Sequence, residues 1–299
     1  ETLRAKGHEV VEQFYAPEEL GEAIRDFDVV VVRSATKVRA NHIDAAKGSR
    51  LKLIIRGGVG VDNIDVAYAE ANGIAVKNTP RASSNSVAEL ALAHMLSCAR
   101  FVSIAGHTMR EGKWEKKAYG KGVELGGKTL GVIGYGRIGQ ALGRMAQGLG
   151  MNVVAYDIYH VEGIECETMH YVTMDELLAQ SDVVSLHCPQ TAENARMIDA
   201  GALAQMKDGA ILLNTARGGL LDEQAVADAL RSGKLLAAGM DVVSAEPIRA
   251  DNPLLTAPNC FLTPHIAWAP LETRRRLQAI SAENLRAFLA GKPQNVVNP

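Results

Sequence analysis

The stretch Thr129–Gly139 reads TLGVIGYGRIG, and Arg137–Leu149 continues it as RIGQALGRMAQGL. An aliphatic run, Thr129–Ile133, passes directly into Gly134, Tyr135, Gly136, Arg137, Ile138 and Gly139, which open an amphipathic helical pattern. In a strand–turn–helix of this form the first glycine permits the tight turn and the second lets backbone approach a pyrophosphate. The third lets the helix pack on the strand, while the helix N-terminus attracts the anion. The next strand, Asn152–Tyr156, ends at Asp157, placed to accept both ribose hydroxyls of an adenosine. A carboxylate there repels a 2′-phosphate, and Ile158, Tyr159 and His160 bring no arginine to neutralise one, so the pattern points to NAD rather than NADP.

Working outward, short β-branched runs alternate with helical patterns, the signature of parallel sheets covered by helices. Six strands are expected downstream, at Thr129–Ile133, Asn152–Tyr156, Val183–Leu186, Ala210–Asn214, Leu235–Asp241 and Cys260–Leu262, with helices between them. Upstream, strands are expected at Glu9–Glu12, Val29–Arg33, Leu51–Arg56 and Ala75–Lys77, with helices at Pro17–Arg25, Arg39–Ala46 and Asn63–Asn72. Leu3–Lys6 reads as the end of a helix, and the expectation is that this domain lacks its first strand. Val87–Arg110 reads as one long helix, and Glu111–Lys128 as a charged, glycine-rich connection. Leu271–Ala290 is an amphipathic helix with no further sheet to join, so it is expected to return to the first region. The fold class is therefore α/β with two doubly wound parallel-sheet domains: a discontinuous, flavodoxin-like substrate domain at residues 1–94 plus 270–299, and a Rossmann domain at 95–269.

Composition supports a globular chain. Of 299 residues, 47% are hydrophobic and 22% charged, which excludes a mainly disordered protein. The formal net charge of −2 argues against a general nucleic-acid binder or a partner of anionic membranes, so an anionic ligand must be met by local arginines. Cys98, Cys166, Cys188 and Cys260 form no close pair of the kind a zinc or iron–sulfur site uses, so no metal is expected. They read as reduced, buried thiols of a cytoplasmic protein. No apolar run reaches membrane-span length, and the opening ETLRAKGHEV is not a signal peptide.

Three loops follow strands of the second half, where open α/β sheets place their ligands: Asn214–Gly219 (NTARGG), Asp241–Pro247 (DVVSAEP) and Thr263–His265 (TPH). Hydride transfer between an alcohol carbon and NAD needs a group to carry the hydroxyl proton and a cation to fix a substrate carboxylate. His265 supplies the first and Arg217 the second, and Glu246 can hold the imidazolium. His187, in SLHCP, suits the cofactor side of the site.

At these residues the chain resembles the D-isomer-specific 2-hydroxyacid dehydrogenases. The likeness runs through RGGVGVDNID (Arg56–Asp65), NTP (Asn78–Pro80), NSVAEL (Asn85–Leu90), GKTLGVIGYGRIG, SLHCPQT (Ser185–Thr191), NTARGG, DVVSAEP and TPHIAW (Thr263–Trp268). The resemblance implies that Arg217, Glu246 and His265 are the catalytic set, and that Gly58, Val59 and Gly60 offer backbone N–H groups to the substrate carboxylate. It extends the cofactor set to His187, Pro189, Thr215, Ala216 and Asp241. It also implies two lobes closing on a ligand and a homodimer built around the dinucleotide domains. Val31–Ala46 and Glu111–Gly131 look like the phosphoglycerate dehydrogenase branch. That likeness implies NAD-dependent oxidation of 3-phospho-D-glycerate, the first step of serine synthesis, with Arg33 and Arg56 facing the phosphate and Lys116 reaching toward a partner's substrate.

Three departures stand out. Ile266-Ala267-Trp268-Ala269-Pro270 replaces the small glycine- and serine-containing sequence of that branch, and glycerate or hydroxypyruvate reductases carry bulky residues there. Gly57 stands where alanine is usual. The chain ends at Pro299, and the expectation is that it lacks a serine-sensing extension. Glycerate or hydroxypyruvate reduction is the same-class alternative. A non-catalytic NAD-binding corepressor is a remote one.

Overall fold

Strand residues alternate between two apolar environments, and that alternation fixes the layers of the larger unit. A computed structural model of the chain describes residues 3–292 and 294–298. By its internal contacts the chain divides into two compact units, Ser84–Trp268 and Glu1–Ser83 with Ala269–Pro299. The division falls ahead of residue 94, where the sequence reading set it, because the helix that begins at Ser84 packs on the dinucleotide sheet.

The smaller unit holds α1 (Pro17–Ala23), β1 (Val29–Val32), α2 (Ala40–Ala45), β2 (Leu53–Arg56), α3 (Val66–Ala71) and β3 (Ala75–Lys77). Its sheet is parallel, in the order β1-β2-β3. The strand expected at Glu9–Glu12 does not form. Those residues carry no strand, β1 is an edge, and a groove lies between it and Val11–Tyr15. Leu3–Lys6 is a 3₁₀ turn closed by Gly7 at φ +83° rather than the end of an α-helix.

The larger unit holds α4 (Ser84–Arg100), α5 (Val102–Arg110), β4 (Thr129–Ile133), α6 (Arg137–Gly148), β5 (Asn152–Tyr156), β6 (Met169–Tyr171), α7 (Met174–Gln180), β7 (Val183–Leu186), α8 (Ala200–Gln205), β8 (Ala210–Asn214), α9 (Glu223–Ser232), β9 (Leu235–Met240) and β10 (Cys260–Leu262). Its seven parallel strands run β10-β9-β8-β7-β4-β5-β6, so the order reverses between β4 and β7. Two corrections to the expected pattern appear here. Met169–Tyr171 adds a short edge strand, and the single helix of residues 87–110 is two helices bent by 66° at Phe101, whose φ is +55°.

Leu130, Val132, Val153, Ala155, Ile211 and Leu213 face one core beside α4 and α6. Their neighbours Ile133, Val154, Val184, Leu212 and Ala238 face a second core beside α7, α8 and α9. Burying each large aliphatic side chain contributes about 1.5–3 kcal/mol, so both faces must stay covered. Asp199 and Asp222 cap α8 and α9, accepting from Ala202 N–H at 2.9 Å and Ala225 N–H at 3.0 Å. Each such cap stabilises a helix by about 1 kcal/mol.

The helix α10 (Leu271–Leu289) returns to the smaller unit, where Leu285 and Phe288 pack on Leu53 and Ile55 of β2. Asn284 donates to the Asn78 carbonyl at 2.7 Å and accepts from Asn295 at 2.8 Å. The tail then clips β3: Val297 N–H donates to Val76 at 2.9 Å, and Asn298 bonds both Val76 N–H (2.7 Å) and the Ile74 carbonyl (3.1 Å). Lys77, 2% exposed, reaches the Asn284 carbonyl at 3.5 Å and lies 5.7 Å from the Phe288 ring centre.

Among the described residues, no single helix is long and apolar enough to cross a membrane, and no cluster of metal-ligating side chains occurs. Cys98 is buried and Cys188 and Cys260 are partly so. Cys166 is exposed, contrary to expectation, because it lies on the irregular connection leading to β6.

A Cβ at Gly139 would stand 2.4 Å from the Gly134 carbonyl oxygen. Backbone cannot yield as a flexible side chain can, so Gly139→Ala is expected to cost about 2 kcal/mol or more. Urea denaturation checks it; an unchanged midpoint contradicts it.

Candidate active site

All seven strands of the larger sheet are parallel, so their carboxyl ends share one edge, where the loops of the site gather. At the end of β4 the three glycines meet three different constraints. Gly134 has φ +92°, and a Cβ there would be 2.5 Å from Cys188 N, so the turn lies against the β7 loop. Gly136, the N-cap of α6, has nothing within 4 Å of a Cβ position, which leaves its backbone open to a phosphate. Gly139 packs on the turn itself. Tyr135 is buried, Arg137 is exposed and Ile138 is partly buried. The Tyr135 N–H donates to Asp157 Oδ2 at 2.7 Å, and Tyr159 N–H donates to Oδ1 at 3.0 Å. Asp157 is thereby held with lone pairs remaining for ribose hydroxyls. His160 stacks on Tyr171 of β6 at 4.0 Å, and Tyr171 packs edge-on against Tyr135, so this missed strand braces the adenosine-side loop.

His187 follows β7. Its Nε2 lies 2.8 Å from Ser185 Oγ, while the buried Nδ1 has no partner within the described residues. Burial pushes this imidazole down to about 4. Thr215 Oγ1, after β8, is likewise buried and unpartnered. Two orphaned polar atoms beside an open glycine turn fit a dinucleotide that brings its own donors and acceptors. Pro189 is exposed and its carbonyl accepts from Asn194 at 2.8 Å. Ala216 is partly buried and accepts from Arg217 Nη1 at 2.7 Å.

The three candidate catalytic residues stand on neighbouring loops of the same unit. Asn214 donates to the Arg217 carbonyl at 2.8 Å and accepts from Ala216 N–H at 3.0 Å, which ties the Arg217 loop to β8. A Cβ at Gly218 would be 2.0 Å from the Val243 carbonyl carbon, so only glycine lets this loop touch the loop of Glu246. Glu223, at the start of α9, accepts from Ser244 N–H (2.6 Å), Ser244 Oγ (2.7 Å) and Asn252 Nδ2 (2.9 Å), anchoring the chain just before Glu246. Glu246 Oε2 meets His265 Nδ1 at 2.8 Å. Burial opposes ionisation of Glu246, but the His265 hydrogen bond and charge, with Arg217 adding to them, hold it below the usual carboxylate range. A carboxylate on Nδ1–H leaves Nε2 as the nitrogen able to exchange a proton with a ligand.

His265 has φ +52°, a left-handed conformation that must be held in place. Asp241, 1% exposed, does so. Its carboxylate accepts from Thr263 Oγ1 (2.6 Å), Ile266 N–H (2.9 Å) and Ala267 N–H (2.9 Å), and its carbonyl accepts from His265 N–H (2.8 Å). Asp241 is expected at the cofactor; in the structure both its carboxylate oxygens accept from the His265 loop. Ser86 Oγ of α4 bonds the Ala267 carbonyl. Glu223, Thr263 and Tyr171 are supports that nothing in the sequence spacing announces.

In the smaller unit, Gly58, Val59 and Gly60 follow β2. The Gly58 carbonyl accepts from Thr79 N–H at 2.9 Å and the Val59 carbonyl from Asn78 at 2.8 Å. Among the described residues no acceptor takes the N–H of Val59 or Gly60, so both can meet a carboxylate. Arg56 Nη1 donates to the Gly57 carbonyl at 2.7 Å, and its guanidinium lies against Gly58. Arg33, after β1, is exposed, and desolvation together with nearby Arg274 lowers its pKa. Lys116 is exposed in the connection 111–128, which carries no helix or strand.

The profile of the D-isomer specific 2-hydroxyacid dehydrogenase NAD binding domain matches residues 92–267. A hydroxypyruvate reductase of Blautia hydrogenotrophica is 46% identical over 287 residues, 94% of this chain and 88% of that one. A D-3-phosphoglycerate dehydrogenase of Methanocaldococcus jannaschii is 46% identical over 285 residues, 94% of this chain and 53% of that one. The solved TT0316 protein of Thermus thermophilus superposes with a TM-score of 0.90 at 38% identity, covering 99% of this chain and 95% of that one. The chain belongs to the D-isomer-specific 2-hydroxyacid dehydrogenases. It is an NAD-dependent enzyme of that family, interconverting a small 2-hydroxy acid and its 2-keto acid.

The His187 imidazole sets a pH dependence. The unfolded chain binds its proton near 6.5 and the native state only near 4, so the unfolded state holds more protons between these values. Stability therefore rises with pH across this window. It is expected to fall by about 1–3 kcal/mol on acidification from pH 7 to 4, and less in His187→Asn. Urea midpoints against pH check this; equal slopes in the two proteins contradict it.

Proposed function

We propose that the protein is a hydroxypyruvate reductase, interconverting D-glycerate and hydroxypyruvate with NAD(H). The observation that carries this substrate choice is at Arg56. Its guanidinium is bound to the Gly57 carbonyl and lies on Gly58, which supports a part in shaping a carboxylate loop over a grip on a phosphate. Trp268, close in sequence to His265, and the near full-length likeness to hydroxypyruvate reductases support the same reading. Phosphoglycerate oxidation is the second reading, favoured by exposed Arg33 and by the phosphoglycerate dehydrogenases at similar identity.

In this reading the Gly134–Gly139 turn and Asp157 would hold the dinucleotide, which would supply or accept a hydride when bound. Arg217 binds the substrate carboxylate and polarises the carbonyl. His265 Nε2 gives a proton to the C2 oxygen during reduction and takes it back during oxidation. Glu246, on Nδ1, keeps the ring oriented and stabilises the imidazolium. A homodimer and a cytoplasmic setting belong to the same proposal. Exposed Val102, Met109 and Trp114, on α5 and the segment after it, support the first.

Steady-state kinetics with NADH test the substrate choice: kcat/KM for hydroxypyruvate is expected to exceed that for 3-phosphohydroxypyruvate at least tenfold. Arg56→Met is expected to lower both by similar factors. A loss confined to the phosphorylated acid supports the second reading instead. His265→Ala is expected to lower kcat by about 10²- to 10⁴-fold with NADH affinity little changed. A kcat within threefold of the parent assigns the proton to another group.

A further inference from the structure

One buried imidazole has no part in the chemistry above. His94, on α4, is 5% exposed and lies over β9 at Gly239, where a Cβ would stand 2.8 Å from His94 Cβ and 3.0 Å from its ring. The strand is thus hollowed where the imidazole sits, two residues before Asp241. His94 Nε2 is 2.9 Å from Thr263 Oγ1, and Thr263 Oγ1 donates to Asp241 Oδ1 at 2.6 Å. A hydroxyl has one proton, so with that proton on Asp241 the remaining contact is a donation from His94 Nε2–H to a lone pair of the hydroxyl. Burial pushes the His94 imidazole down, although the Asp241 charge opposes this, and a neutral ring with its proton on Nε2 suits that role.

We propose that His94 is a positioning residue for the reaction: its Nε2–H, acting through the Thr263 hydroxyl, orients the Asp241 carboxylate, which fixes the left-handed turn carrying His265. Occupying the hydroxyl lone pair leaves its O–H directed at Asp241, and Asp241 then holds the amides on the far side of His265. Without the donor, Thr263 is free to rotate and the turn loses one of the three donors that lock its carboxylate. Both links run through buried groups, where a hydrogen bond is hardest to replace by water.

The inference rests on His265 as the proton carrier, so its test has an arm independent of turnover. In the whole chain saturated with NADH, His94→Met is expected to speed amide hydrogen exchange at Ile266 and Ala267 at least tenfold. His94→Gln, which keeps an N–H donor, should stay within threefold of the parent. In the kinetic arm with hydroxypyruvate, His94→Met should lower kcat at least fivefold, with the KM for NADH within twofold, and His94→Gln should restore most of it. The loss in Thr263→Val should not deepen when His94→Met is added, because both act on one chain of bonds. Unchanged exchange in His94→Met, equal impairment of the Gln and Met variants, or multiplicative losses in the double variant would overturn the proposal. If His94→Met does not fold, His94→Asn, whose amide falls short of Thr263, replaces it with the same expectations. Faster exchange in His94→Met of a protein that does not reduce hydroxypyruvate supports the positioning role and rejects only the substrate assignment.

Discussion

A single buried carboxylate organises the chemistry of the larger unit. Asp241 stands at the end of β9, almost wholly removed from water, and an unpaired charge there would be costly. Its oxygens are satisfied by donors that all come from the β10 loop, and the cost of leaving them unmet is what holds that loop in one conformation. The left-handed backbone at His265, its contact with Glu246, and so the direction of its second ring nitrogen follow from that requirement. The Glu246 loop is held separately by Glu223 and by backbone contact at Gly218.

Much of the fold was legible because both faces of the larger sheet are covered. Its strands are short aliphatic runs punctuated by glycine and polar residues, and β4, β5, β7, β8 and β10 fall where the sequence puts them. The failures share a cause. Met169–Tyr171 is a three-residue edge strand of mixed polarity whose existence depends on β5 beside it. The bend at Phe101 has no glycine or proline to mark it, since an aromatic residue adopts the left-handed conformation there. Glu9–Glu12 has the composition of a strand but pairs with no strand among the described residues, since a groove separates this segment from the β1 edge.

The site divides the same way. Glycine spacing, Asp157 and the loops carrying Arg217, Glu246 and His265 are local patterns, and strand order brings them together. Glu223 and His94 come from distant segments and act through side-chain hydrogen bonds, and the Thr263 hydroxyl links His94 to Asp241, so only the folded chain reveals these supports. Asp241 was visible as a residue beyond a strand, but its task depends on where the β10 loop turns. The choice between two acids that differ by a phosphate leaves still less trace in sequence, because relatives named for each acid are similar to this chain to the same degree.

The smaller unit is completed by residues that lie far apart in the chain. Helix α10 covers β2, and the last described residues clip β3, where Asn298 reaches Val76 and Ile74. The larger unit lies between these two pieces as one uninterrupted segment. A chain emerging from the ribosome can therefore finish its dinucleotide domain while the earlier-made domain still lacks a covering helix and an edge. Leu53 and Ile55 of β2 lack their α10 cover until synthesis has passed that helix. The smaller unit therefore gains its α10 cover only after the whole of the larger unit has been made, an interval in which uncovered apolar surface favours aggregation.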